Sequence, residues 1–199
     1  MHNSKYNFLF DLDGTITKEE ILPVIAREVG LSKEISELTE KTIKGLIPFQ
    51  QSFLYRVELL KHVPVSQVRD IVSRVALNQH VVDFIRDNDD KCSIVTGNLD
   101  VWVSELCKNI GVKYYSSKAF VQNDYICTVT KVLKKADVMN CINGRVVAIG
   151  EGNNDADMIK NAEIGIAFGG VHMPADSVLE YATHAIFKEE SLCQFLRQL

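Results

Sequence analysis

Hydrophobic and polar positions along this 199-residue chain follow two different rhythms. Short unbroken apolar runs at 6–10, 92–96, 145–149 and 164–168 read as buried strands, and helical periodicity separates the later ones. That alternation predicts an α/β, Rossmann-like core built on a parallel sheet. Between the first two runs the pattern is helical throughout, with helices expected at 22–29 before Gly30, 33–44 before Gly45, 49–62 before Pro64 and 67–77 after an N-cap at Ser66. Phe49, Phe53, Val57 and Leu60 form one apolar stripe on the third of them. The expected organisation is therefore a core of residues 1–16 and 81–199 carrying a small inserted helical cap, 17–80. Asn143-Gly144 should turn into the strand at 145, and Gly111 should end the helix that carries Trp102.

Chemistry concentrates where the first apolar run stops, at Asp11-Leu12-Asp13-Gly14-Thr15. In open α/β sheets ligands bind in the crevice beyond the carboxyl ends of the strands, which is where Asp11 falls. A carboxylate there can attack phosphorus and form an aspartyl-phosphate, dividing a hard hydrolysis into two displacements. Asp13, two residues on, leans to the same side and can act as general acid and then general base.

This motif resembles the signature of the haloacid dehalogenase superfamily, in its phosphatase branch, where the first Asp is the nucleophile. The dehalogenases of that superfamily lack the second Asp, so Asp13 points to phosphate chemistry. The resemblance implies three further motifs, and the chain supplies each in order. Thr96-Gly97-Asn98 ends the next strand, with the Thr96 hydroxyl and backbone N–H groups near Gly97 holding phosphate at the start of a helix. A phosphate-neutralising lysine comes from Lys131, Lys134 or Lys135; Lys135-Ala136-Asp137 fits the usual setting best, and Lys131 is the runner-up, four residues away on one helical face. Gly150-Glu151-Gly152-Asn153-Asn154-Asp155 matches the fourth motif, with Glu151 where an Asp usually holds Mg²⁺. The implied Mg²⁺ ligands are Asp11, Asp13 through its carbonyl, Glu151 and Asp155.

From Phe10 to Pro64 the chain looks very like the phosphoserine phosphatases. In that family a Glu just after the first motif meets the substrate ammonium and a cap Arg holds its carboxylate; Glu20 and Arg56 fall at those positions. A guanidinium grips a carboxylate bidentately, so the pair suits a zwitterion. Phe49, the better candidate for pocket lining on its stripe, and Asn98 and Asn154 complete the expected substrate-binding set. A rival reading of Thr17-Lys18-Glu19-Glu20 is a capping box, which Pro23 disfavours by asking for a later helix start. Gly14 stands where that family usually carries Ser, and Asn98 where it carries Gly. Two alternatives therefore remain open: a phosphatase for a sugar phosphate or nucleotide, or a phospho-ligand-binding protein impaired by Glu151.

Composition narrows the partners. Twenty-two basic residues against 26 acidic ones give no basic field for nucleic acid. The five cysteines, Cys92, Cys107, Cys127, Cys141 and Cys193, lack zinc or disulfide spacing. No apolar stretch reaches the length of a membrane span, and the N-terminus shows no secretory signal. The expectation is a cytoplasmic protein that takes a small phosphomonoester, with no membrane partner and the oligomeric state open. Among the histidines, His172 follows Phe168-Gly169-Gly170-Val171 in a strand-end loop that borders the predicted site.

Overall fold

A computed structural model describes residues 6–43 and 46–199. Its seven-stranded sheet has the order β4-β3-β2-β1-β5-β6-β7. β1 (Tyr6–Phe10) lies at the centre, parallel to β2 (Cys92–Leu99) on one side and β5 (Arg145–Gly150) on the other. Phe8 pairs with both Cys92 and Val147, so the carboxyl ends of these three strands open side by side. β6 (Ile164–Phe168) and β7 (His184–Ile186) extend the parallel array beyond β5. Phe8, Leu9 and Phe10 are fully buried because both faces of this central strand are covered.

Four helices lie between β1 and the return to the sheet: α1 (Ile21–Glu28), α2 (Ser32–Ile43), α3 (Phe49–Leu60) and α4 (Val65–Ser73). They match the four expected helices, although the expected end of the second at Lys44-Gly45 falls outside the described residues. The chain then returns through α5 (Gln79–Asp87). A narrow antiparallel neck joins insert to sheet, with Thr17 bridged to Leu77 and the Asn78 amide donating to the Thr15 carbonyl at 2.8 Å. The stripe of Phe53, Val57 and Leu60 enters one continuous apolar cluster with α4 and with Trp102, Val103 and Leu106 of α6 (Asp100–Ile110). Gly111 closes α6 in the left-handed region, as expected.

Several local expectations are corrected. Helix α4 begins at Val65 behind Pro64, so Ser66 is inside the first turn rather than at the N-cap. Its N–H donates instead to Asp124 Oδ1 at 3.0 Å, a cap supplied from 58 residues away. Asp124 sits in the turn of a hairpin the apolar runs did not reveal, β3 (Lys113–Gln122) and β4 (Tyr125–Lys131), the one antiparallel pairing among the described strands of the sheet. Lys131 therefore ends a strand and shares no helical face with Lys135, which opens a 3-10 helix (Lys135–Cys141). The capping box does not form: the Thr17 hydroxyl donates to the Leu12 and Glu19 carbonyls, and α1 starts only at Ile21. Pro23 falls within the first turn, where no intrahelical donor is needed.

Candidate active site

The Asp11 N–H donates to the Ile149 carbonyl at 2.9 Å, which ties the end of β1 to the end of β5 and sets Asp11 beside the loop that opens with Glu151. Asp155, in the 3-10 turn Asn153–Asp155 after that loop, accepts the N–H groups of Glu151 (3.1 Å) and Gly152 (2.9 Å) through Oδ2. A Cβ on Gly150 would lie 2.6 Å from Asp155 Cγ, so the close return of this carboxylate requires glycine there. Lys135, 4 % exposed, lies between acids: its ammonium donates to Asp11 Oδ1, and to Asp155 Oδ1 at 2.5 Å. Lys131 and Lys134 are both exposed, so of the three candidates Lys135 alone enters the site.

Asp13 faces two ways. Its Oδ1 accepts the Ile21 N–H at 2.8 Å, fixing the first residue of α1, and its Oδ2 accepts the Asn98 side-chain amide. Asn98 thus orients Asp13, a role the sequence did not suggest. Its backbone N–H, one of those around Gly97 and Asn98 expected to cradle phosphate, donates to Thr96 Oγ1 at 3.1 Å. Gly97 is steadied by Ser117, whose hydroxyl donates to the Gly97 carbonyl at 2.7 Å.

In front of these groups lies a cavity of about 480 Å³. Asp11, Asp13, Gly97, Asn98, Glu151 and Asn154 line its sheet side, and Glu20, Phe49, Phe53 and Arg56 line its helical side. Thr96, Lys135 and Asp155 are behind this lining, against the groups they support. Phe49 and Phe53 stack with ring centroids 6.4 Å apart. Leu22, Thr39 and Thr42 also face the cavity, and nothing in the helical periodicity separates them from core positions; Met173 joins them from the exposed loop after His172. His172 is there too, as its strand-end loop suggested.

The electrostatics are dominated by crowded acids. Asp11, Asp13, Glu20, Glu151 and Asp155 meet two bases, Lys135 and Arg56. Burial, reinforced by Asp155, pushes the Asp11 pKa well above the carboxylate range, and burial raises Asp13 against the opposing pull of the Ile21 N–H. Burial with Asp13 and Glu151 nearby lifts Glu20 to about 8, and burial with Asp155 lifts Glu151 to about 7. Burial works against the charge of Lys135, but Asp11 and Asp155 override it and its pKa rises. Such an excess of oxygen donors over cations fits a hard divalent cation, whose charge the cluster otherwise lacks.

The profile of the haloacid dehalogenase-like hydrolases matches residues 8–160, and the chain belongs to that family. Within it, the chain is similar to phosphoserine phosphatases. That of Streptococcus thermophilus is 31% identical over 184 residues, 84% of this chain and 86% of its own length. That of Methanocaldococcus jannaschii is 29% identical, over 84% of this chain and 87% of its own. The Archaeoglobus fulgidus enzyme is 29% identical over 88% of this chain, which spans 56% of that longer protein. The fold matches a substrate-bound phosphoserine phosphatase complex with a TM-score of 0.83 at 24% identity, covering 99% of this chain and 100% of the other. Among the described residues no helix is long and apolar enough to cross a membrane.

Proposed function

We propose that this protein is a Mg²⁺-dependent phosphomonoesterase whose preferred substrate is O-phosphoserine. The observation that carries the reading is the placement of Asp11 and Asp13 at one end of a cavity whose other wall presents Arg56 and Glu20. Lys135 engages Asp11 Oδ1, so Oδ2 is the oxygen that attacks phosphorus as the bond to the leaving oxygen breaks. Asp13 gives its proton to the departing alkoxide. It then takes a proton from a water, whose oxygen displaces Asp11 from the phosphoryl group and releases phosphate. The raised pKa of Asp13 supports this double duty. Mg²⁺ held by Asp11, the Asp13 carbonyl and Glu151 would neutralise charge on the phosphoryl oxygens, with Asp155, whose oxygens engage Lys135 and the Glu151 and Gly152 N–H groups, supporting those ligands from behind. Thr96, Gly97 and Lys135 support the phosphoryl end. Glu20 answers the substrate ammonium and Arg56 its carboxylate, with Phe49, Asn98 and Asn154 closing the sides.

The neck at Thr17 and Leu77 supports a division into a core (1–16 and 81–199) and a cap (17–80) that closes over the substrate and excludes water. The action is on a small molecule, with neither nucleic acid nor membrane as partner. A cytoplasmic location agrees with five free cysteines, two of them exposed.

The test is phosphate release from phosphoserine, sugar phosphates and nucleotides, with and without MgCl₂, against Asp11→Asn as blank. Mg²⁺-dependent turnover led by phosphoserine supports the reading. Turnover led by another ester overturns the substrate, and silence across the panel favours capture of a phosphorylated ligand without turnover.

A further inference from the structure

Gly14 follows Asp13 directly and has φ +69°, in the left-handed region. A Cβ placed on it would lie 2.9 Å from Glu151 Oε1, 3.0 Å from Glu151 Cδ and 3.3 Å from Cδ2 of His172. The Glu151 carboxylate therefore fills the volume that a side chain at 14 needs, and His172 bounds that volume as well. Close-packed interiors do not hold two groups in one place. Because the carboxylate is the far end of a flexible side chain, a group added at 14 moves it rather than unfolding the chain. It does not move freely, however. Glu151 is 8 % exposed, its N–H is held by Asp155, and its carbonyl accepts the Ala175 N–H at 2.8 Å.

We propose that Gly14 and Glu151 are an interlocked pair. The bare Cα at 14 is what lets a glutamate, one methylene (about 1.5 Å) longer than aspartate, present its carboxylate to the cation beside Asp11 and Asp13. Gly14 is thus a positioning residue that acts on the cation through Glu151. The inference rests on the reading of this cluster as a divalent-cation site. It adds that the two positions act as a unit, so changing either alone displaces the carboxylate.

A double-mutant cycle on the full chain tests this, with the Mg²⁺ dissociation constant obtained from the rise of Tm with MgCl₂. Gly14→Ala weakens Mg²⁺ binding at least about tenfold when Glu151 is present, and less than about threefold in the Glu151→Asp background, where the volume over residue 14 is vacated. The backbone strain of a side chain at positive φ is common to both backgrounds and cancels in the cycle. Gly14→Asn, better tolerated in the left-handed region, replaces Gly14→Ala if the latter does not fold. Equal losses in the two backgrounds overturn the interlock. A wild-type Tm that does not respond to MgCl₂ overturns the cation reading and the inference with it, and is told apart because it shows in the wild-type arm alone.

Discussion

On the sheet side of the cavity the carboxylates are held by short-range backbone and lysine contacts, whereas on the helical side Arg56 and Glu20 project from α3 and the start of α1 among aromatic and aliphatic side chains. Asp11 and Asp155 share Lys135, and Asp155 and Asp13 each accept backbone N–H groups. Arg56 has a hydrogen bond from its Nε to the Ser52 carbonyl at 3.3 Å, one turn back on its own helix, and burial lowers its pKa. The first wall is preorganised for charge transfer, because its dipoles and ammonium are fixed before any ligand arrives. On the proposed reading the second selects, because Arg56 and Glu20 meet the charged ends of the substrate. Breaking one wall should stop chemistry and unsettle the fold; breaking the other should change which ester is chosen.

The largest effect is expected at Lys135. Lys135→Ala leaves Asp11 and Asp155 facing each other across a buried gap, at a cost of about 3–5 kcal/mol in urea unfolding of the cation-free protein. Phosphate release should fall to the Asp11→Asn blank. A loss under about 1 kcal/mol would show that the acids relax by taking up protons, and the wall is then less rigid than its hydrogen bonds suggest.

On the opposite wall, Arg56→Lys replaces a planar fork by a point charge. KM for phosphoserine should rise by about tenfold or more, with a smaller change in kcat. A phosphoester lacking a carboxylate should lose less. Equal losses for both esters would place Arg56 on the phosphoryl group and remove the distinction between the walls.

The pattern of apolar runs carried the central strands and the four inserted helices because those segments are buried on regular faces, so burial and periodicity coincide. It missed β7 and the hairpin of β3 and β4 because β4 and β7 are the sheet's edges and the hairpin exposes Phe120, Tyr125 and Cys127, so no continuous apolar run marks them. The hairpin turn uses Asn123 and Asp124, both at positive φ, in place of a glycine. The residues that line the candidate site were legible through motif spacing and resemblance. Two features were not: that Asn98 is turned onto Asp13, and that Lys135 sits between two acids, since both depend on how separate strand ends converge.

A gentler probe is pH. Folded-state pKa values of about 8 for Glu20 and about 7 for Glu151, against an ordinary 4.5, mean that the folded protein binds more protons than the unfolded chain. Stability of the cation-free protein is then greatest near the unfolded value and is lost as pH rises through the folded ones. Melts from about pH 5 to about pH 8 should show Tm falling, with MgCl₂ giving its largest rescue at the alkaline end, where protons no longer compete. Glu20→Gln should flatten the decline. A Tm that climbs with pH would show that the acids are already satisfied without a cation.

The smallest effect is expected where the helical wall is fastened. Asp124 accepts the Ser66 N–H at 3.0 Å and the Ser66 hydroxyl, and its own carbonyl takes the Val65 N–H at 2.7 Å, so the hairpin turn caps the helix that carries the insert onto α6. Asp124→Ala removes the side-chain contacts and keeps the carbonyl, and its positive φ of 69° is harder for alanine than for aspartate. Loss of such a cap costs about 1 kcal/mol. Asp124→Asn, which keeps an acceptor and tolerates the left-handed region, should recover most of it, separating the cap from the backbone strain. If α4 serves only to hold the selecting wall in place, KM for phosphoserine should rise modestly in Asp124→Ala while the sheet-side chemistry, read as kcat, stays near wild type. A fall in kcat with KM unchanged would mean that the hairpin reaches the carboxylate wall, through Ser117 on β3 and the Gly97 carbonyl, more strongly than it reaches the helices.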